Sequence, residues 1–228
     1  MLIERLRPNP TADELAELYA HHNDADRWAE HRLRVRLTVD LARSRFPNPG
    51  LVVDPAAGNR VAAFQIATNV AAGGLVTGDL APDAPVTHPG TPALELLAEL
   101  DGQDADVVIL GEILEHVDDP LELLRAARRA GTGLVLSTPL AEPAGINPEH
   151  VWRWDADAVR GMLDLAGWAP RDYIELDYDV ADWPHPFRCQ IHTATVGPEP
   201  MVDRILEPLA ARILELLVGG PNDDEVLT

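Results

Sequence analysis

Four short apolar runs, at residues 51–54, 75–78, 106–110 and 134–137, are separated by stretches with helical signals, and each ends at or just before a small or acidic residue. Strands that alternate with helices in this way build a parallel sheet with right-handed crossovers. Two later runs, 173–178 and 189–196, follow one another with no helix between them and predict an antiparallel edge. The expected fold class is therefore α/β, a mostly parallel sheet with an antiparallel C-terminal edge.

The connecting segments support this reading. Thr11 and Glu14 have capping-box spacing for a helix over 11–21. Asp24 or Asp26 caps a longer one that runs to about 46, with Leu33, Leu37 and Leu41 at four-residue spacing and Pro47 and Pro49 beyond it. Residues 60–72 read as a helix closed by Gly73-Gly74, and 93–100 as a short one. Asp119 followed by Pro120 starts a helix that Gly131 stops, and 155–166 is a helix with Gly167 after it. The proline-rich segment 81–92 reads as a loop. An amphipathic helix near the C-terminus carries Val202, Ile205, Leu209, Ile213 and Leu216, with Pro208 inside it, and 219–228 reads as disordered. That helix packs on the domain or on a second copy, which makes a homodimer one expectation.

Composition narrows the setting. The 228 residues carry a net charge of -20, and all 18 basic residues are arginine. Such acidity argues against a nucleic-acid partner, whose phosphates require a basic face. The densest basic stretch, Arg32, Arg34 and Arg36 with Arg43 and Arg45 following, fits a solvated helix face. No apolar run approaches the ~20 residues of a membrane span. The start, MLIERLRPNP, has no secretory signal, so a cytoplasmic, soluble protein is expected. Cys189 is the only cysteine, which rules out an intrachain disulfide and a cysteine-based zinc site. Its alternating surroundings suggest a strand cysteine.

In open α/β sheets, ligands bind beyond the carboxyl ends of the strands. The first strand ends in Asp54-Pro-Ala-Ala-Gly58-Asn-Arg60, a turn of small residues that backbone and ligand can both approach. The second ends at Asp79, where a carboxylate can accept hydrogen bonds from both ribose hydroxyls of a nucleoside. The third ends in Gly111-Glu112-Ile-Leu-Glu115-His116-Val-Asp-Asp-Pro120.

Together these segments resemble a class I S-adenosylmethionine-dependent methyltransferase, over about 51–196. The most specific piece is the Glu-Ile-Leu-Glu-His-Val-Asp-Asp-Pro run with Ser137-Thr-Pro139 after it. His150-Val-Trp-Arg-Trp-Asp and Ala166-Gly167-Trp168 resemble the family's late segment. The resemblance implies a Rossmann-like α/β fold, a mostly parallel seven-stranded sheet with an antiparallel C-terminal edge, divided into an N-terminal helical lid (1–49), an S-adenosylmethionine-binding core (50–197) and a C-terminal helix and tail (198–228). Asp54, Ala56 and Gly58 would form the cofactor loop, Asp79 would hold the ribose, and Gly111 would allow close approach near the methionine end. Ala56 and Arg60 stand where the family's loop has glycines. A dinucleotide cofactor fits less well, because two of its three fingerprint glycines are missing. A base-amino methyltransferase would need an Asn/Asp-Pro-Pro-Tyr/Phe motif that the chain lacks. Tyr19, Trp28 and His31 fall in the lid helices, and Trp152 and Trp154 line the acceptor pocket or pack beneath its loop. His21, His22 and Asp24 read as a solvated helix end, and Trp183-Pro-His185 as a hairpin turn.

If the chain turns helically after Gly111, then Glu112, Glu115 and His116 share one face. Two carboxylates and an imidazole suit a divalent ion such as magnesium, manganese, iron or zinc, and His150 is a fourth candidate beyond the next strand. A similar metal-binding arrangement occurs in methyltransferases of small-RNA 2′-hydroxyls and of ubiquinone-pathway catechols. Without a metal, His116 and Glu115 would be the catalytic pair. The implied reaction is methyl transfer to oxygen of a small molecule, a sugar or a phenol. An RNA ribose methyltransferase and a non-catalytic cofactor-binding protein are the alternatives.

Overall fold

The computed structural model describes residues 1–8, 10, 14, 29–102, 105–179 and 186–197. Outside them lie the helix expected over 11–21, the caps Asp24 and Asp26, Tyr19, His21, His22, Trp28, Trp183, His185 and the C-terminal helix.

The elements in chain order are β1 (Ile3–Arg5), α1 (Ala29–Arg45), β2 (Leu51–Asp54), α2 (Val61–Asn69), β3 (Gly74–Asp79), β4 (His88–Pro89), α3 (Ala93–Glu99) and β5 (Ala105–Gly111). A 3₁₀ turn (Leu114–His116) follows, then α4 (Pro120–Ala130), β6 (Gly131–Pro139), β7 (Trp152–Trp154), α5 (Ala156–Leu165), β8 (Trp168–Tyr178) and β9 (Phe187–Val196). The main sheet runs β4-β3-β2-β5-β6-β9-β8. Strands β4 to β6 are parallel along that order, and β9 enters antiparallel between β6 and β8. This is the expected Rossmann-like sheet.

Its centre is β5, whose Val107, Val108, Ile109 and Leu110 are all buried, as a strand covered on both faces requires. Helices α3, α4 and α5 cover one face, with Leu96, Leu123, Leu124 and Met162 in that core. Helices α1 and α2 cover the other through Val39, Ala42 and Ile66. Leu33, Leu37 and Leu41 of α1 reach the antiparallel edge at Leu176, Cys189 and Ile191. The predicted cap forms, Asp119 accepting from the Glu122 N–H (2.9 Å), and Asp155, expected inside its helix, caps it instead by accepting from the Ala158 N–H (2.9 Å).

Three features differ from expectation. The segment expected to be a loop contains β4. There Thr77 and Thr87 bond each other reciprocally, the Thr87 hydroxyl donating to the Thr77 carbonyl (2.6 Å) and accepting from the Thr77 N–H (2.9 Å). This bridge supplies the seventh strand. Second, β1 and β7 pair in a small antiparallel sheet, Ile3 opposite Trp154. Arg5 stacks over the Trp152 ring at 5.4 Å and pairs with Asp118. Third, β8 begins at Trp168 and passes an irregularity between Pro170 and Asp172, so it is longer than the apolar run implied.

Candidate active site

A cavity of about 560 Å³ opens at the carboxyl ends of β2, β3, β5 and β6. The turn after β2 forms its floor. Asp54, 3% exposed, accepts from the Ala56 N–H (3.2 Å); the Ala57 N–H donates to the Gly78 carbonyl (2.8 Å). The turn lies so close to β3 that a Cβ on Gly78 would stand 3.2 Å from the Pro55 carbonyl oxygen. Gly58 (φ +54°) and Arg60 (φ +58°) are left-handed, whereas Ala56 is not. Alanine is thus compatible with its position, and Arg60 points outward into solvent at the start of α2.

Asp79 closes the turn. Its carboxylate accepts from the Gly58 N–H (2.8 Å) and the Ala81 N–H (2.9 Å), which leaves lone pairs facing a cavity that Asp79 also lines. Burial, with Asp79 nearby, pushes Asp54 up to about 7.

At the far end, Gly111 brings the chain to Glu112, whose φ of +53° takes it out of any helix. The expected shared face is therefore broken. The 3₁₀ turn begins only at Leu114, and Glu112 is not part of the group that Glu115, His116 and His150 form. Instead Glu112 stands 3.9 Å from Arg34 and accepts the Cys189 S–H at 3.7 Å. Although burial works against it, Arg34 and His31 hold Glu112 below the ordinary carboxylate range.

Donor atoms of Glu115, His116 and His150 lie within 4.8 Å of one another. Glu115 is 1% exposed. Its Oε2 accepts from the Thr138 hydroxyl (2.9 Å), which accepts from Trp154 Nε1 (3.0 Å). Its Oε1 is buried with no hydrogen-bond partner, 3.8 Å from His116 Nε2. Burial, then the Glu112 charge, raises the Glu115 carboxyl to about 8. His116 Nδ1 faces the Glu149 carbonyl (3.3 Å), which assigns the proton to Nδ1 and the lone pair to Nε2. Burial lowers its pKa to about 4, so the ring is neutral. His150 is held by Glu142 on Nδ1 and meets Asn147 Nδ2 at 3.0 Å on Nε2. Burial opposes its charge, yet Glu142 raises its pKa overall. Trp152 and Trp154 are buried and pack beneath this cluster rather than line the cavity.

Sequence reasoning missed Arg34. It is not on a solvated face: Nη1 donates to Ser137 Oγ (2.9 Å), and its side chain is 12% exposed. The signal was present, because Thr38 and Ala42 continue its position at four-residue spacing and both are buried.

This fold is that of the class I S-adenosylmethionine-dependent methyltransferases. The 1,6-didemethyltoxoflavin-N1-methyltransferase of Burkholderia thailandensis, solved with 1,6-didemethyltoxoflavin and S-adenosylhomocysteine, matches with a TM-score of 0.60 at 16% identity, over 86% of this chain and 95% of that one. The N-methyltransferase NodS of Bradyrhizobium japonicum, also with S-adenosylhomocysteine, matches at 0.64 and 13%, over 82% and 98%. The [4+2]-cyclase SpnF matches at 0.58 and 13%, over 85% and 99%. No protein-family model matches the chain, and no curated protein matches it in sequence. Among the described residues no helix is long and apolar enough to cross a membrane.

Proposed function

We propose that the protein is an S-adenosylmethionine-dependent methyltransferase acting on a hydroxyl of a small molecule, a sugar or a phenol. The observation that carries this is the cavity, with the Asp54–Gly58 turn on one side, Asp79 at the end of β3 and Gly111 at the end of β5. A fold shared by methyltransferases and a cyclase does not fix the reaction, so the site must. Bound there, the cofactor supplies an electrophilic methyl group. Asp79 would accept from the ribose hydroxyls, and the turn would present backbone to the nucleoside. Asp54, Asp79, Glu112 and Asp118 make the lining acidic, which favours a small acceptor over RNA.

His116 lines the cavity with a neutral ring, a base for an acceptor hydroxyl, though a weak one because burial holds its pKa at about 4. The same donors fit a divalent ion: a buried, unpartnered Glu115 oxygen, a neutral His116 and a His150 oriented by Glu142. Such an ion would supply Lewis-acid activation of the hydroxyl. Asn147 would have to release His150 Nε2, and Glu112 would stay with Arg34.

The test is calorimetric titration with S-adenosylhomocysteine, with and without manganese. Binding by the wild-type protein, weakened by Asp79→Ala, is the expected result. No binding by folded protein overturns the reading. A manganese-induced rise in Tm that His150→Ala abolishes supports the metal; no manganese binding, with activity intact in Glu115→Ala, removes it.

A further inference from the structure

We propose that His31 of α1 is the catalytic base that takes the proton of a phenolic acceptor, with Glu112 as the carboxylate that stabilises its protonated ring; the inference rests on the methyltransferase reading above. Among the described residues that line the cavity, the histidines are His31 and His116. His116 is already engaged. Its Nδ1 faces the Glu149 carbonyl, its Nε2 faces the buried Glu115 carboxyl, and a pKa of about 4 makes it a weak base. His31 stands one turn before Arg34 on α1, so the two share the helix face that meets the cavity. The Phe187 ring of β9 backs the imidazole at 5.3 Å between centroids and is tilted by 50° to it.

The backbone at Glu112 is the second observation. A glutamate at φ +53° carries strain that the surrounding structure must hold. The strain turns its carboxylate away from the group of Glu115, His116 and His150 and toward α1, where Arg34 stands 3.9 Å away. Arg34 and His31 keep that carboxylate ionised, and it lines the same cavity. It is thus placed to offset the charge a base acquires, as the carboxylate of a nucleophile–base–acid set does. The charges that act on His31 are Arg34 and Glu30 on its own helix and Glu112 from the end of β5. Burial and then Arg34 lower the ring from 6.5, while Glu112 and Glu30 pull it back. Such a base matches a phenol, whose hydroxyl ionises near 10 as that of tyrosine does. It matches a sugar hydroxyl, close to water in acidity, far less well.

In the step, the phenol O–H bond breaks and its proton passes to the His31 ring. The oxygen forms the new bond to the methyl carbon of S-adenosylmethionine. The S–CH₃ bond breaks, its electron pair returns to sulfur, and S-adenosylhomocysteine leaves. The imidazolium then gives its proton to solvent.

Methyl transfer to catechol and to 4-nitrophenol is followed against pH for wild type, His31→Gln and His31→Asn, and S-adenosylhomocysteine binding is measured for each. Wild-type kcat for catechol should rise with pH along a limb centred below 6.5, as the ring becomes neutral. Both variants should lose that limb and lower kcat for catechol by about 100-fold or more, with cofactor affinity kept. Their loss with 4-nitrophenol should be smaller, because a more acidic hydroxyl needs less help from a base. Equal loss with both phenols, cofactor binding weakened together with kcat, or a limb that survives in the variants overturns the proposal. Wild-type protein that binds S-adenosylhomocysteine but methylates neither phenol overturns it too. Failure to bind S-adenosylhomocysteine at all instead overturns the cofactor reading itself.

Discussion

Asp54→Asn should stabilise the ligand-free protein at alkaline pH and weaken its hold on cofactor. The carboxyl is 3% exposed, and burial raises it from 3.8 to about 7. The folded state therefore binds this proton more tightly than the unfolded chain does. The resulting stability is complete below pH 3.8 and is lost as pH rises through about 7. A tenfold change in proton affinity is worth about 1.4 kcal/mol, so the whole swing is on the order of 4 kcal/mol. Asparagine cannot ionise, and its carbonyl still accepts from the Ala56 N–H. Urea unfolding of both proteins without ligand, from pH 4 to pH 8, should give curves that agree at pH 4 and diverge by up to about 4 kcal/mol at pH 8, with the variant the more stable. Glu115 adds a slope of the same sign, but to both proteins, so the difference isolates Asp54. For S-adenosylhomocysteine, which carries an ammonium group, the variant should bind more weakly at pH 8 and nearly equally at pH 5, where Asp54 is itself protonated. A difference in stability that stays flat across this range would refute the argument that burial holds the proton.

Gly133→Ala would place a Cβ 2.7 Å from the Asp106 carbonyl oxygen and 2.6 Å from the Phe46 ring. It should cost about 1–3 kcal/mol in urea unfolding. Trp154→Phe removes the donor to Thr138 Oγ1 and leaves space behind a buried ring. About 2 kcal/mol should be lost in the same assay. Asp119→Ala strips the cap from α4 and should lower stability by about 1 kcal/mol, with circular dichroism reporting little change in helix content.

The parallel strands were legible because their residues are buried on both faces and so appear as continuous apolar runs. The acids at the strand ends followed from the same topology. β4 was not legible: two residues in a proline-rich stretch pair only because Thr77 and Thr87 tie them to β3. Glu112 was misplaced because i, i+3 spacing presumes helical backbone, and a glutamate at φ +53° gives no sequence signal of leaving it. The departure separates one carboxylate from the other three candidates. Arg34 was passed over because its neighbours Arg32 and Arg36 suggest a solvated run, whereas burial on a helix follows the position four residues on. Trp152 and Trp154 could not be allotted, since β7 exists only by pairing with residues from the other end of the chain.

That pairing has a consequence for the order in which the molecule comes apart. The strap of Ile3–Arg5 on Trp152–Trp154 joins segments about 150 positions apart through three residue pairs. The Val151 N–H beside it bonds the Glu115 carbonyl (2.8 Å). Only β1 depends on so short a ladder, because Trp152 and Trp154 of β7 are themselves buried in the main core. A three-residue edge strand with half-buried side chains is the element expected to open locally while the main sheet stays intact. Amide exchange of β1 should accordingly run ahead of both β7 and β5. The stretch from His150 to Trp154 would lose its outer neighbour in that opening, while the turn at Asp54 and Gly58, fixed to β3, keeps its shape. The half of the site that handles protons would thus feel a fluctuation to which the half that holds the nucleoside is indifferent.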